Sequence, residues 1–234
     1  MRILKTEQYI NEKLGIQPVT KDRLSKMKEG ISVDENTRLF IEKYNLVWNT
    51  KTMSYDCDGD VEVSEDIVTE GKLKIRFGNV GGNFDCNANH LTTLEGTPQK
   101  VGGDFYCSFN ELTTLEGAPK EVGVDFICTL NGLATLKGAP KKVGRYFDCN
   151  ANQLTTLEGA PQEIGGDFNC NDNNLTTLKG APKKVGGDFY CTDNKLTTLE
   201  GAPNEVGGDF YCSGNPNLVL PEDKPSWVKG EIIS

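Results

Sequence analysis

The sequence lacks several features that enzyme active sites require. Its single histidine, His90, has no nucleophile near it in the chain, and no glycine-rich phosphate loop is present. The many carboxylates recur in columns of similar environment, whereas acid–base catalysis depends on a pair of carboxylates whose environments differ. We therefore expect a protein that is not an enzyme and that holds no cofactor and no metal.

Long apolar runs are also missing. No run approaches the roughly 20 residues that a membrane-spanning helix needs. The first residues, Met1 to Gln8, contain no apolar segment of signal-peptide length. These two absences predict a soluble protein of the cytoplasm, without a membrane partner.

Positive charge is scarce where the chain is most regular. The net charge of −9 is unevenly distributed: residues 1–50 carry +2, residues 51–79 carry −3, residues 80–216 carry −7 and residues 217–234 carry −1. Binding to a phosphate backbone depends on clustered lysine and arginine. Direct nucleic-acid binding along the acidic part is therefore not expected.

Cysteine, in contrast, is regular. Seven of the eight cysteines follow one another at intervals of 21 residues, namely Cys86, Cys107, Cys128, Cys149, Cys170, Cys191 and Cys212. A fixed period of this length indicates a solenoid. Equivalent residues then stack at about 4.7–4.9 Å, whereas a disulfide needs Cβ atoms near 3.8 Å, and the spacing forms no C-x-x-C zinc pair. We predict a buried column of free thiols, typical of a reducing compartment.

The 21-residue unit also predicts local structure. A representative copy begins Val185-Gly-Gly-Asp-Phe-Tyr-Cys-Thr-Asp-Asn-Lys-Leu-Thr-Thr-Leu-Glu-Gly-Ala-Pro. Phe and Cys at positions i and i+2 face one side of a short strand, and that side must be the interior. The Asn three residues after each Cys can bond from turn to turn through its amide, and Gly and Pro turn the chain back. We expect one parallel strand per turn, followed by an irregular return.

The pattern x-x-Phe-x-Cys-x-x-Asn-x-Leu-x-x-Leu resembles a leucine-rich repeat, whose short form is L-x-x-L-x-L-x-x-N/C-x-L. Phe and Cys stand at two leucine positions, and seven copies cover residues 80–216. The return Leu-x-x-Leu-Glu-Gly-Ala-Pro is similar to the short repeats of secreted bacterial effectors. With its leading segment, Tyr44-Asn-Leu-Val-Trp48 and Tyr55-Asp-Cys-Asp-Gly-Asp-Val61, the chain also resembles proteins of large tailed phages and some gut bacteria. The resemblance implies a leucine-rich-repeat solenoid and, for a phage protein, the cytoplasm of the host.

Four segments follow from these patterns. Residues 1–45 form a predicted helical segment with helices over 7–14, 21–29 and 35–44, which are too short to stand alone and dock either on the coil as a cap or in a partner's groove. Residues 46–79 are degenerate leading turns, with strands over 46–48, 53–57, 61–63 and 72–77. Residues 80–216 are the repeats, and residues 217–234 cap the far end through Trp227-Val228 and Ile232-Ile233.

Candidate binding residues stand where outward columns depart from the common pattern. Small or acidic residues are replaced on adjacent turns by Tyr106, Phe109, Ile127, Leu130, Arg145 and Tyr146. An apolar, aromatic cluster with one arginine is typical of a protein interface; the alternatives are sequence drift or burial under the N-terminal helices. Tyr190 and Tyr211 form a second candidate. Asp104 and Asp125 belong to an acidic column that either maintains solubility or contacts a basic partner.

The sequence therefore predicts a non-catalytic protein–protein interaction module. The phage resemblance implies an accessory protein that binds and modulates a host or antiviral-defence protein. A structural virion or assembly component is one alternative, and an acidic mimic of nucleic acid is another. Neither the identity of the partner nor the oligomeric state follows from the sequence.

Overall fold

The computed structural model of the protein describes residues 33–234. It confirms the predicted repeat solenoid: parallel strands coil through about nine turns, and one short helix lies near the start of the described range. The helices predicted over 7–14 and 21–29 lie outside the described residues. No helix within residues 33–234 has the length and apolar character needed to cross a membrane.

The helix Glu35–Lys43 agrees with the helix predicted over 35–44. Asp34 begins it by accepting a hydrogen bond from the Thr37 amide at 2.9 Å, as an N-cap does. On the buried side of this helix, Phe40 meets the ring of Phe77 edge-on, with 6.3 Å between ring centroids. The helix therefore covers the first end of the coil's aromatic core.

Two nine-stranded sheets run along the coil, and each regular turn contributes one strand to each sheet. The strands of sheet A are Val47–Asn49, Ser54–Cys57, Phe77–Val80, Lys100–Val101, Glu121–Val122, Lys142–Val143, Glu163–Ile164, Lys184–Val185 and Glu205–Val206. The strands of sheet B are Val61–Glu62, Phe84–Asp85, Phe105–Tyr106, Phe126–Ile127, Phe147–Asp148, Phe168–Asn169, Phe189–Tyr190, Phe210–Tyr211 and Ile232–Ile233. A separate antiparallel pair joins Val68–Thr69 to Lys72–Leu73, after a 3-10 helix over Glu65–Ile67.

Each regular turn contains two strands, whereas the sequence predicted one; the additional strand is the one in sheet A. It spans two residues in each regular turn, and its backbone continues the ladder, as in the bond from Gly102 N to Val80 O at 2.9 Å. The strand predicted over 72–77 is likewise divided, because Lys72–Leu73 belongs to the separate pair and sheet A resumes at Phe77. A two-residue strand shows no alternation of polar and apolar residues, so periodicity does not reveal it.

A column of phenylalanine rings fills the interior. From Phe84 to Phe210, neighbouring rings are stacked with centroids 5.1–5.7 Å apart. Phe77 closes one end edge-on at 4.9 Å, and Trp227 closes the other edge-on at 5.2 Å. The last strand, Ile232–Ile233, pairs with Phe210–Tyr211 in sheet B. Aromatic and strand contacts thus cover the apolar interior at both ends.

The asparagine column bonds from turn to turn, as the repeat pattern predicted. The Nδ2 of Asn110 donates to the Cys86 carbonyl one turn earlier at 2.9 Å and to the Cys107 carbonyl of its own turn at 3.2 Å. Its Oδ1 accepts from the Leu91 amide at 2.9 Å. The backbone bends away from sheet B here, so an amide that both donates and accepts satisfies groups that the bend leaves unpaired.

Within residues 80–216, the glycine directly after each sheet A strand is required by close approach. A Cβ on Gly123 would lie 1.9 Å from the carbonyl oxygen of Gly102 in the preceding turn, and no neighbouring side chain could move to relieve the clash. The second glycine position is more tolerant, since Val124 and Arg145 occupy it in two turns. Sequence variation at this corner is therefore confined to one of the two positions.

All eight cysteines are buried and free, which confirms the predicted thiol column. Most thiols of the column donate to the carbonyl one turn further on, as Cys128 does to Asp148 O at 3.3 Å and Cys170 to Tyr190 O at 3.1 Å. Burial raises the pKa of each of the seven repeat cysteines above its usual value. The folded coil therefore holds these thiols in the neutral form.

This burial predicts steep loss of stability in alkali. The folded state keeps its thiols protonated to higher pH than the unfolded chain, whose thiols have a pKa of about 8.5. The stabilisation is complete below that pH and is lost as the pH rises above it, by up to about 1.4 kcal/mol per pH unit for each thiol. Urea unfolding under reducing conditions, measured from pH 7 to pH 10, checks this expectation.

The matched control is the variant Cys128→Ala/Cys149→Ala. It is less stable at neutral pH, because it leaves two small cavities, but its stability declines less steeply above pH 8.5. Equal slopes in the variant and the wild type would show that the thiol column does not cause the decline.

Candidate binding surface

The acidic column before each phenylalanine lies at the corner between the two sheets. Asp104 Oδ1 accepts the backbone N–H of Asp125 at 3.0 Å, and Asp125 Oδ1 accepts that of Tyr146 at 3.0 Å. Asp188 accepts the N–H of Asp209 in the same way at 2.7 Å. Each carboxylate thus satisfies a backbone donor of the next turn. This internal role accounts for Asp104 and Asp125 without a bound partner.

Three of the tyrosines are held by the same carboxylates. The hydroxyl of Tyr106 donates to Asp104 Oδ2 at 2.9 Å, that of Tyr190 to Asp188 Oδ2 at 2.9 Å, and that of Tyr211 to Asp209 Oδ2 at 3.3 Å. Desolvation and the bond to Asp104 raise the pKa of Tyr106 to about 12. Tyr190 and Tyr211 also stack on each other, with centroids 4.6 Å apart. These rings are fixed in orientation, which lowers the entropy lost when a partner packs on them.

Arg145 and Tyr146 serve mainly to complete one irregular turn. Arg145 donates two hydrogen bonds to Asp125, from Nε to Oδ1 at 2.9 Å and from one terminal nitrogen to Oδ2 at 2.5 Å. Tyr146 stands where most turns have Asp, and its hydroxyl donates to Asp148 at 3.0 Å while accepting from Asn169 Nδ2 at 3.0 Å. Desolvation raises the pKa of the buried Asp148 carboxyl. Aspartate and tyrosine have exchanged places here while keeping their hydrogen bond.

Phe109 and Leu130 are the most exposed apolar members of the predicted cluster. Their side chains stand at equivalent positions of adjacent turns, with 61% and 46% of the residue surface exposed. Both have left-handed backbone conformations, with φ of 55° and 52°. Bulky residues rarely adopt this conformation, which favours glycine, asparagine and aspartate. The same position in other turns is occupied by Ala88, Ala151, Asp172, Asp193 and Gly214.

Four predicted residues form one apolar patch, which we define as Tyr106, Phe109, Ile127 and Leu130. Tyr106 and Ile127 are paired neighbours in sheet B. Phe109 and Leu130 follow three residues further along the same two turns. Between the two pairs, the hydroxyls of Ser108 and Thr129 bond to each other at 2.9 Å. Arg145 and Tyr146 lie at the neighbouring corner, and Tyr190 and Tyr211 lie further along sheet B.

Sequence reasoning overlooked Val124 and the left-handed backbone of the patch. Val124 replaces a glycine at the corner beside Asp125 and is half-buried. The sequence indicates this position, because most turns have glycine there and Val124 replaces it. The backbone signal was weaker: Asp172, Asp193 and Gly214 in one column have the composition of a left-handed position.

The fold defines the class of the protein as a parallel β-solenoid with 21-residue turns, compatible with a short leucine-rich-repeat type of coil. Comparison of the chain with protein-family models, with curated proteins and with solved structures finds no match. Among residues 33–234, no group of three or more His, Cys, Asp or Glu side chains is placed to hold a metal ion. Arguments about function therefore depend on the surface itself.

Because Phe109 and Leu130 have left-handed backbones, we expect both positions to tolerate polar substitution. The double aspartate variant is Phe109→Asp/Leu130→Asp. At each position the substitution destabilises the fold by removing a partly buried apolar side chain, and stabilises it by relieving a left-handed backbone strain of roughly 1–2 kcal/mol. These effects are of similar size and opposite sign. We expect the free energy of unfolding, measured in urea, to change by less than about 1.5 kcal/mol.

The contrasting variant is Phe105→Ala, which removes a fully buried ring and should cost about 3–5 kcal/mol. If the double aspartate variant were destabilised as strongly as Phe105→Ala, Phe109 and Leu130 would have to be regarded as part of the core.

Proposed function

We propose that the protein is a non-catalytic binding module that captures a protein partner through the apolar patch. The observation that supports this most directly is the pair Phe109 and Leu130, two large apolar side chains exposed on a left-handed backbone. Strained, exposed apolar residues persist where they serve a function that the fold itself does not require. At the same position, two other turns of the coil carry aspartate, two carry alanine and one carries glycine.

The composition of the patch also suits a protein interface. Aromatic rings contribute most of the binding energy in interfaces, and Tyr106 is held in place by its bond to Asp104. Between the apolar side chains, the hydroxyls of Ser108 and Thr129 are bonded to each other, and the Arg145–Asp125 pair supplies polar groups at the neighbouring corner. Polar groups beside apolar and aromatic side chains are common in protein-binding surfaces.

We further propose that the chain is a leucine-rich-repeat protein of phage type that modulates a host or antiviral-defence protein in the cytoplasm. Support comes from the sequence pattern of the repeats and from the asparagine column, whose hydrogen bonds continue from turn to turn along the coil. The free thiols support a reducing compartment. Mimicry of nucleic acid has less support, because one oxygen of Asp104 and of Asp125 is engaged with the backbone.

Affinity capture tests the role of the patch. The wild-type chain and the double aspartate variant are immobilised at equal density, incubated with lysate of a bacterial host, and washed at physiological salt. Loss of two central apolar side chains should weaken the binding of a partner by at least tenfold, since each hot-spot truncation costs about 2 kcal/mol of binding free energy. Quantitative mass spectrometry gives, for each retained protein, the ratio of the amount bound by the wild type to the amount bound by the variant.

The control variant is Asp172→Ala/Asp193→Ala, which changes the same column two and three turns beyond Leu130. It should retain the partner as the wild type does. Equal retention by the double aspartate variant and the wild type would argue that any partner binds elsewhere on the coil.

A further inference from the structure

The patch is small enough to accept a single structural element of a partner. It is two turns wide, which at about 4.8 Å per strand and with its side chains makes roughly 10 Å. It extends from Tyr106 to Phe109, three residue steps of about 3.3 Å, which again makes about 10 Å. An α-helix with its side chains has a diameter of about 10–12 Å. The dimensions therefore match one helix lying across the two turns.

Strand addition is not available at this position. The strand Phe105–Tyr106 is already paired on both sides, with Phe84–Asp85 and with Phe126–Ile127. Its backbone donors and acceptors are engaged within sheet B, so a partner must be recognised through side chains. Recognition by apolar side chains at helical spacing is the mode that does not need a free sheet edge.

The surroundings of the patch are acidic. Asp85, the register neighbour of Tyr106, places a half-buried carboxylate beside the patch, whereas the carboxyl of Asp148, the register neighbour of Ile127, is buried and bonded to Tyr146. Glu111 lies two residues beyond Phe109 and is exposed. Arg145, at the neighbouring corner, is already paired with Asp125.

This acidity is concentrated on the side of the coil that carries the patch. In residues 80–216, sheet B and its flanking corner and turn carry one arginine, Arg145, and seven aspartates that are at least partly exposed, Asp85, Asp104, Asp167, Asp172, Asp188, Asp193 and Asp209, while Asp125 and Asp148 are buried. The outward residues of sheet A have the opposite balance, with three glutamates against six lysines, Lys100, Lys120, Lys141, Lys142, Lys183 and Lys184. A cationic partner is therefore attracted to the sheet B side and oriented by it.

We propose that the apolar patch binds an amphipathic, basic helix of the partner, whose apolar stripe meets Phe109 and Leu130 and whose flanking Lys or Arg side chains meet the surrounding carboxylates. This inference rests on the proposed function and specifies its partner. An acidic helix with the same stripe is disfavoured, because like charges repel across the rim.

Model peptides test the assignment directly. The probes are an 18-residue Leu/Lys peptide with a continuous leucine stripe, a Leu/Glu peptide with the same stripe, and a Ser/Lys peptide in which serine replaces every leucine. Each is labelled and titrated with the full chain by fluorescence anisotropy at 150 mM salt. We expect the Leu/Lys peptide to bind at least tenfold more tightly than either of the others.

Variants of the patch separate specific docking from general attraction to an acidic protein. The double aspartate variant adds two negative charges, so attraction by charge alone would strengthen its binding of the Leu/Lys peptide. Docking on the patch predicts the opposite, a loss of at least tenfold, and the same loss in the neutral variant Phe109→Asn/Leu130→Asn. The control Asp172→Asn/Asp193→Asn, away from the patch, should change binding by less than about threefold.

Three results would overturn the proposal. The first two are equal or tighter binding of the Leu/Glu peptide, and undiminished binding of the Leu/Lys peptide by the double aspartate variant. A third would be dimerisation of the chain alone, in sedimentation experiments, that the double aspartate variant abolishes, since the occupant would then be a second copy. If the peptide results fail while affinity capture still depends on Phe109 and Leu130, protein binding stands and only this partner chemistry is wrong. If capture is also independent of the patch, the proposed function is wrong as well.

Discussion

The structure depends on backbone hydrogen bonding between equivalent residues of successive turns. The bond from Phe105 N to Asp125 O at 2.8 Å recurs one turn on as Phe126 N to Tyr146 O at 2.8 Å. A ladder with a 21-residue register places every side chain directly over its equivalents. Identical inward side chains then stack without further adjustment, which is why phenylalanine, cysteine and asparagine recur at fixed positions. A side chain that fits one turn fits them all, unless a chain end intervenes.

The same ladder explains why most outward positions are also restrained. Stacking like charges at one strand spacing is unfavourable, yet aspartate recurs at the corner because its carboxylate accepts a backbone N–H of the next turn. The tyrosine hydroxyl bonds to the remaining oxygen. Outward columns thus divide into those that complete the coil and those that do not. Phe109 and Leu130 belong to the second group, because their side chains satisfy no backbone group and are exposed to solvent over about half of their surface.

The period, the inward columns and the turn-to-turn role of asparagine were predictable because each follows from spacing alone. The second strand was not, since Lys100–Val101 contains only two residues and no alternation. The repeat pattern places Tyr146 in the outward cluster, because its column faces outward, but its exchange with Asp148 directs its hydroxyl into an internal hydrogen-bond network. Backbone conformation was the hardest property to predict. Phe and Leu themselves argue against a left-handed turn, and only their equivalents Asp172, Asp193 and Gly214 indicate it.

That mismatch between residue and backbone bears most directly on function. The coil accepts aspartate at this position in two turns and glycine in a third, so its geometry does not require an aromatic or aliphatic side chain there. An apolar residue in this conformation gains some burial but keeps the strain that aspartate largely avoids. Two such residues occur on adjacent turns, beside Tyr106 and Ile127, on the more acidic side of the molecule. Stability alone does not account for this combination, whereas contact with an apolar, basic surface does.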